Sequence, residues 1–315
     1  MIKLGMIGMN EGNGHPYSYS AMFNGYDPLA LKKKCPFPLI KEYLPALHKN
    51  KNMIDGAIVS HIWTQDRSLS QDIASVSKIP NIVGNIEDLL GEVDGVILAR
   101  DDPWNHLAMA KPFLKEGIPI FIDKQLVSSE RDLSELIKIT GKNYPLMAGS
   151  SIRYTKELNS FLQDTMLKKN TMSIHGMSRV NWMRYGHHLL EGIVILFGHD
   201  ILNVRSLSSK DGHDIVQISY KDNLNVILEF IEDIALPIQF TCFTSNSEPV
   251  SIPFIDYYSS FRKMMNDFKV MIETNIPPIP FNEIVSISKI VIAGDLSKKS
   301  GGIPYNPKNL RPHHE

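Results

Sequence analysis

The sequence predicts a mixed α/β protein, with a doubly wound parallel sheet in its first half and a mainly antiparallel open sheet in its second half. In the first half, short apolar runs bounded by turn residues alternate with amphipathic stretches that end at glycine. In the second half, strand-like segments follow one another across polar turns. Alternating strands and helices are typical of a parallel sheet, whereas strands in succession are typical of an antiparallel one.

Five apolar runs of the first half are predicted to be buried strands, because such runs between turn residues are typical of strands covered on both faces. They lie at 2–7, 53–63, 93–99, 119–123 and 145–148. Two helical patterns between these strands end at Gly117 and Gly141, where glycine commonly terminates a helix. Asp102 is predicted to cap the first of these helices, with Pro103 as its first residue.

The second half is predicted to contain four strands and three helices. The strands lie at 172–184, 215–220, 225–231 and 238–244, and the helices at 155–167, 186–197 and 281–296. We therefore divide the chain into a doubly wound domain over residues 1–150 and an α+β domain over residues 151–315.

Composition and charge exclude several classes of protein. The 315 residues include 33 Lys and Arg and 34 Asp and Glu, so the chain lacks the basic excess of a nucleic-acid binder. Its two cysteines, Cys35 and Cys242, argue against a disulfide framework and favour a reducing compartment. No apolar run approaches the ~20 residues of a membrane span. We expect a cytoplasmic protein without a nucleic-acid or membrane partner.

A glycine loop (residues 8–14) follows the first predicted strand. It contains Gly8, Gly12 and Gly14 at G-x-x-x-G-x-G spacing, together with Asn10 and Asn13. Such a loop lets backbone N–H groups approach a diphosphate at a helix N-terminus, and ligands of parallel sheets bind at the carboxyl ends of the strands. The same residues also fit a simple turn, so the loop indicates either a dinucleotide site or a tight connection.

Further polar residues follow the neighbouring strands. Asp66 and Arg67 come after the second strand, where an acid accepts ribose hydroxyls and an arginine faces a 2′-phosphate. Because both are present, the choice between NAD and NADP stays open. Arg100, Asp101 and His106 follow the third strand and are assigned to the same cofactor site.

A long insert (residues 27–54) separates the first helix from the second strand, which normally follows within a few residues. The insert carries four prolines and an amphipathic stretch at 39–47. We expect it to pack over one edge of the nucleotide site or near the substrate opening.

Two places carry candidate catalytic residues. Lys124 follows a predicted strand, where its ammonium can hold a substrate hydroxyl during hydride transfer, although a surface lysine also fits. His188 and Glu191 lie three residues apart on a predicted helix, as an oriented acid/base pair, as two metal ligands or as a structural pair. No third ligand has a recognisable spacing, so we predict no metal. Further candidates for lining a sugar pocket are Arg179, Trp182 and Arg184.

These motifs together resemble the Gfo/Idh/MocA family, the oxidoreductases related to glucose–fructose oxidoreductase and inositol 2-dehydrogenase. Residues 93–99, followed by His106, are similar to the family's VDAVIIATP…H segment, and residues 121–126 stand where the family has VFVEKP. Residues 185–191 resemble its YGxHxxE helix. Asp123 and Gln125 replace the glutamate and proline that flank the family's lysine.

The resemblance implies a Rossmann domain that binds NAD or NADP, and a second domain whose open sheet makes subunit contacts. It aligns Lys124 with the family's catalytic lysine, and His188 with an acid/base or substrate ligand. We predict hydride transfer between nicotinamide and a hydroxyl or keto carbon of a sugar, cyclitol or nucleotide-sugar-like substrate, with Glu191 orienting His188. The alternatives are a cofactor-binding sensor without turnover and an NAD-assisted glycoside hydrolase. A homodimer or homotetramer is expected.

Overall fold

The computed structural model describes residues 1–45, 53–141, 144–207, 209–234, 237–245 and 247–310. The chain forms two compact units. The first comprises Met1–Asp123, Leu136–Ala148 and Phe261–Phe281, and the second comprises Lys124–Glu135, Gly149–Ser260 and Asn282–Glu315. Within the described ranges, no helix combines the length and the apolar character that crossing a membrane requires.

The first sheet has six strands in the order β3-β2-β1-β4-β5-β6. They are β1 (Ile2–Ile7), β2 (Ala57–Trp63), β3 (Asn81–Ile82), β4 (Gly95–Leu98), β5 (Ile120–Asp123) and β6 (Leu146–Gly149). β1 pairs in parallel with β2 on one side and β4 on the other, so the strand order reverses at β1. Every residue of β4 and β5 is buried, which explains their unbroken apolar sequences. The predicted doubly wound parallel sheet is confirmed.

In the part of the chain that the structure describes, six helices accompany these strands. They are α1 (His15–Asn24), α2 (Pro28–Lys34), α3 (Pro38–Tyr43), α4 (Arg67–Ser77), α5 (His106–Lys115) and α6 (Glu130–Thr140). The prediction that Asp102 caps α5 is wrong, since α5 begins at His106 with Asn105 before it. The Asp102 carboxylate instead binds the Arg100 guanidinium. Residues 103–105, between Asp102 and the start of α5, form turns.

The described part of the insert lies against the glycine loop. α2 and α3 belong to the insert, and a Cβ placed on Gly14 would come within 2.5 Å of Ile40 Cδ1 and 2.6 Å of Phe37 Cδ2. The Phe37 ring also meets the Tyr17 ring of α1 edge-on, at 6.2 Å between centroids. The insert therefore packs beside the loop that precedes α1. The end of its predicted amphipathic stretch, at 46–47, lies outside the described residues.

The second sheet has six strands in the order β12-β11-β7-β10-β9-β8. They are β7 (Thr171–Arg179), β8 (Ile201–Leu207), β9 (His213–Tyr220), β10 (Asn225–Ile231), β11 (Gln239–Thr244) and β12 (Val250–Pro253). β7 and β10 pair in parallel, and the other neighbours pair in antiparallel fashion. The predicted mainly antiparallel sheet is confirmed, with β8 and β12 as strands that we did not predict.

The structure describes five α-helices after β6. They are α7 (Lys156–Asn159), α8 (Thr165–Asn170), α9 (Trp182–Phe197), α10 (Tyr257–Thr274) and α11 (Phe281–Lys299). The predicted strand at 172–184 is too long, because the Asn181 side chain accepts a hydrogen bond from Arg184 N and starts α9 at Trp182. The predicted helix at 155–167 is divided between α7 and α8.

Most of α10 belongs to the first unit, where it covers one face of the parallel sheet. A Cβ on Gly95 of β4 would lie 2.6 Å from Ile272 Cδ1 and 3.4 Å from Phe268 Cζ. The Phe268 ring lies 6.0 Å from the Phe121 ring of β5. Because Gly95 has no side chain, the apolar face of α10 can pack directly against the start of β4.

Candidate functional site

The glycine loop connects β1 to α1 through closely packed backbone. Gly8 N donates to Trp63 O at 3.0 Å, and a Cβ on Gly8 would lie 2.4 Å from Pro16 Cγ. Gly12 has φ +83°, a conformation that glycine adopts without steric cost. Gly14 immediately precedes α1, so the loop delivers the chain to a helix N-terminus, the element that binds phosphate groups in many proteins.

A network of polar side chains around the buried Arg100 connects the ends of β1, β2 and β4. The Arg100 guanidinium binds both carboxylate oxygens of Asp102, at 2.7 and 2.5 Å, and donates to Gln65 Oε1 at 3.0 Å and Met9 O at 3.3 Å. Burial raises the pKa of Asp102, but hydrogen bonds from Arg100 and Asn105 outweigh this and hold the pKa below its usual value. Arg100 therefore connects the segments that follow three neighbouring strands at the carboxyl edge of the sheet.

Asn10 and Asp101 form a second link across this edge. Asp101 N donates to Asn10 Oδ1 at 2.9 Å, and Asn10 Nδ2 donates to the Asp101 carboxylate. His106, the first residue of α5, is fully buried, and its Nε2 lies 3.2 Å from Arg100 O. Three predicted cofactor residues, Arg100, Asp101 and His106, are thus parts of the framework that shapes this edge.

Asp66 caps helix α4. Its Oδ1 accepts hydrogen bonds from Ser68 N at 2.8 Å and Ser68 Oγ at 2.9 Å, and these bonds lower the pKa of the Asp66 carboxyl. Arg67 is the first residue of α4 and is exposed. Both residues therefore lie just beyond the end of β2, where the sequence predicted them.

A buried carboxylate lies between the glycine loop and the end of β5. Asp123 Oδ2 accepts a hydrogen bond from Asn13 Nδ2 at 3.1 Å and lies 2.5 Å from His15 Nδ1. The His15 ring stacks on the Tyr19 ring at 4.6 Å and meets the Phe261 ring at 5.1 Å. Sequence reasoning named Asn13 but missed His15 and Asp123 as partners.

Lys124 follows Asp123 directly and is the first residue of the second unit. It is buried, although lysine side chains usually reach solvent. Gln125 is also buried, and its Nε2 donates to Val127 O at 2.8 Å. Because a buried lysine is uncommon unless its charge is used or compensated, Lys124 differs from the surface lysine that the sequence allowed.

The second unit places His188 beside Ser150. His188 lies in the second turn of α9, and its Nδ1 is 2.6 Å from Ser150 Oγ at the start of a 3-10 turn (Ser151–Tyr154). The Tyr185 ring meets the His188 ring edge-on at 5.0 Å. Arg179 lies over the Tyr185 ring, at 5.8 Å from the centroid. Ser150 was not predicted as a site residue.

Glu191 is held in a buried ionic cluster one turn along α9. Its Oε2 accepts from Arg153 Nη2 at 2.7 Å, and its Oε1 accepts from Ser150 N at 3.2 Å. Arg153 also binds Glu283 of α11, and His187 Nε2 lies 3.5 Å from Glu191 Oε1. Burial raises the pKa of Glu191, but Arg153 and then His187 outweigh burial and bring it to about 2.

Trp182 and Arg184, two of the candidates for lining a sugar pocket, lie in the first turn of α9. Trp182 is buried in the core of the second unit, where its Nε1–H donates to Val291 O at 2.8 Å. Arg184 N–H takes part in the cap of α9. Among the residues described by the structure, no group of three or more histidine, cysteine, aspartate or glutamate side chains is arranged to hold a metal ion.

Comparison with solved structures shows that this fold is similar to that of inositol dehydrogenases. The structure of myo-inositol dehydrogenase from Lactobacillus casei, in complex with NAD(H) and myo-inositol, is similar over 97% of this chain and 97% of its own, with a TM-score of 0.75 and 11% identity. Scyllo-inositol dehydrogenase from Lactobacillus casei, with bound NAD(H) and scyllo-inositol, is similar over 96% and 99%, with a TM-score of 0.71 and 12% identity.

A third structure, myo-inositol 2-dehydrogenase from Lactobacillus plantarum, is similar over 95% of this chain and 98% of its own, with a TM-score of 0.71 and 14% identity. No family model and no curated protein matches the sequence. The fold expected from the Gfo/Idh/MocA resemblance is therefore confirmed, and at these identities the similarity establishes the fold alone.

Proposed function

We propose that this protein is an NAD-dependent dehydrogenase that oxidises a secondary hydroxyl group of a cyclitol or sugar, or reduces the corresponding ketone. The observation that carries the proposal is that the glycine loop and the His188 cluster occur in a fold shared with two dehydrogenase structures that were solved with NAD(H) and an inositol. The sequence resemblance at residues 121–126 and 185–191 supports the same reaction class.

The residues of the first unit fit a dinucleotide. Gly8 and Gly14 occupy positions where a Cβ would collide with Pro16 or with the insert, so the loop stays close to the N-terminus of α1. The N–H groups at that terminus would bind the diphosphate, and Asp66 would accept the adenosine ribose hydroxyls. An acid at this position favours NAD over NADP, because it repels a 2′-phosphate.

Two side chains of the second unit would act on the substrate. When bound, the nicotinamide supplies the hydride acceptor. The Lys124 ammonium would donate a hydrogen bond to the reacting oxygen and stabilise negative charge that develops on it. His188 would take the hydroxyl proton at Nε2, because its Nδ1 is engaged by Ser150 Oγ. Glu191 would support this arrangement through Ser150 N.

In this proposal the domain at 1–150 binds the cofactor, and the domain at 151–315 binds the substrate and a second copy of the chain. The face of the second sheet opposite its apolar core carries half-exposed apolar side chains, including Met177, Ile215 and Ile227. Such a face favours burial in a dimer or tetramer. Light scattering coupled to gel filtration checks the oligomeric state, and a monomer at micromolar concentration would contradict this part of the proposal.

The central test is cofactor binding followed by turnover. Purified protein is titrated with NADH and NADPH by cofactor fluorescence, then incubated with NAD and a panel of myo-inositol, scyllo-inositol, aldoses and nucleotide sugars while absorbance reports NADH formation. Binding of NADH with formation of NADH from one polyol supports the dehydrogenase. Binding without turnover favours a sensor, and glycoside cleavage without net NADH favours the hydrolase.

A further inference from the structure

Ser150 contacts one nitrogen of the His188 ring. Ser150 Oγ lies 2.6 Å from His188 Nδ1, and both side chains are buried. An imidazole held at Nδ1 presents Nε2 on the opposite side of the ring. The Tyr185 ring packs edge-on against the His188 ring, at 5.0 Å between centroids, and this contact limits rotation of the imidazole. The orientation of the proposed acid/base group therefore depends on Ser150.

Ser150 is itself fixed by contacts at its side chain and backbone. Its Oγ accepts a hydrogen bond from Ile152 N at 3.3 Å, which caps the 3-10 turn that follows β6. Its backbone N–H donates to Glu191 Oε1 at 3.2 Å. Because a serine oxygen has two lone pairs, it can accept from Ile152 N–H and from His188 Nδ1–H at the same time.

This arrangement changes the role expected for Glu191. The sequence predicted that Glu191 orients His188, and in the structure its carboxylate accepts from Arg153 Nη2 at 2.7 Å and from Ser150 N. Arg153 is in turn bound by Glu283 of α11. Glu191 thus anchors the segment that carries Ser150, and its effect on His188 passes through that serine.

We propose that Ser150 is the positioning residue of the reaction, selecting the neutral His188 tautomer that carries its proton on Nδ1. The inference rests on the proposed function. In that tautomer Nε2 holds a lone pair, so the substrate O–H bond can break while an N–H bond forms at Nε2, and the Nδ1–H···Oγ hydrogen bond persists in the resulting imidazolium. The other tautomer already carries a proton on Nε2 and cannot serve as the base.

The decisive experiment observes the tautomer directly. Protein labelled with ¹⁵N-histidine is studied by NMR, with His188→Gln to assign the His188 signals. We expect wild-type His188, in its neutral form, to show the Nδ1–H tautomer. Ser150→Ala and Ser150→Cys remove the strong oxygen acceptor and should shift the ring towards the Nε2–H tautomer, whereas Ser150→Thr keeps the hydroxyl and should preserve the wild-type signals.

Turnover gives a second readout. With the polyol that wild-type protein oxidises, Ser150→Ala should lower kcat by about 10- to 100-fold with little change in KM, and Ser150→Thr should restore most of it. Ser288→Ala is the matched control, because it removes a buried serine hydroxyl that donates to Ile284 O within α11. An unchanged His188 tautomer in both Ser150→Ala and Ser150→Cys would overturn the inference. The NMR measurement needs no substrate, so this result is distinct from a failure of the proposed function, which would appear as the absence of polyol oxidation by wild-type protein.

Discussion

The His15 imidazole and the buried Asp123 carboxylate meet at 2.5 Å between Nδ1 and Oδ2, and this contact joins the first residue of α1 to the last residue of β5. Asn13 Nδ2 donates to the same oxygen. The glycine loop is therefore tied by side chains to the strand end that precedes Lys124. A displacement of α1 changes both the backbone of the loop and the surroundings of Asp123.

Removing His15 should destabilise the protein much more than removing a partially exposed histidine in a similar pair. His15→Ala takes a hydrogen-bond partner from a buried carboxylate, which typically costs about 2–4 kcal/mol of unfolding free energy. His213→Ala is the control, since His213 lies 3.2 Å from the Glu229 carboxylate, which is 38% exposed. Denaturant unfolding measures both, and equal losses would contradict the role given to the His15–Asp123 contact.

A methyl group on Gly8 should weaken both folding and cofactor binding. The Cβ would lie 2.4 Å from Pro16 Cγ in the first turn of α1, so the helix N-terminus must move. We expect Gly8→Ala to cost about 1–3 kcal/mol of unfolding free energy and to weaken NADH binding in a fluorescence titration.

Gly84→Ala provides the matched control for that variant. Its Cβ would have its nearest contact at 3.5 Å, from Asp88 Oδ2, which is an ordinary van der Waals distance. It should leave both measurements close to wild type. If Gly8→Ala binds NADH as tightly as Gly84→Ala, the glycine loop does not hold the diphosphate.

Lys124→Ala and His188→Ala should each abolish most turnover while NADH still binds. Loss of a positioned acid/base or hydrogen-bond donor typically lowers the rate by about 100- to 10,000-fold. Lys169→Ala, which removes an exposed lysine of the second unit, is the control. Steady-state rates and NADH titrations separate the two effects, and wild-type turnover in either variant would remove that residue from the mechanism.

The charge of Asp66 should determine the choice of cofactor. Asp66→Ser keeps an oxygen that can accept from Ser68 N and thus preserves the cap of α4, but it removes the negative charge. The ratio of NADPH to NADH affinity should rise by about fivefold or more, as expected for loss of a close like-charge repulsion. An unchanged ratio in competitive titrations would show that Asp66 does not face the ribose.

Acid should destabilise the second unit through Glu191. Its pKa is about 2 in the folded protein against 4.5 for an ordinary glutamate, so its stabilising contribution is complete above pH 4.5 and is lost as the pH falls towards 2. The contribution is about 3 kcal/mol for a shift of this size. Denaturant unfolding between pH 6 and pH 3 should show a steeper loss in wild-type protein than in Glu191→Gln, with half-exposed Glu229→Gln as the control.

The sequence was most informative where burial is complete and local. Five of the six strands of the first sheet were predicted, because strands covered on both faces leave apolar runs such as 93–99, whereas the two-residue β3 was missed. The glycine loop was predicted from its place after the first strand. Helix α10 was missed, although its buried residues Met264, Phe268 and Met271 recur at helical spacing.

Contacts between residues that are far apart in the sequence could not be predicted from one sequence alone. Ser150 and His188 are separated by 38 positions, and Arg153 and Glu283 by 130. Each of these side chains alone fits a cap, a surface charge or a core polar group. Only the fold brings them together, so the ionic cluster around Glu191 and the role of Ser150 were beyond sequence reasoning.

The late position of α10 in the chain has a consequence for biosynthesis. Phe268 and Ile272 emerge from the ribosome long after β4 and β5, the strands they cover. Until then the apolar side of the nascent parallel sheet is uncovered and available to chaperones or to other nascent chains. A truncated polypeptide that stops after β6 should consequently be prone to aggregation, and adding residues 257–281 as a separate peptide should restore its solubility.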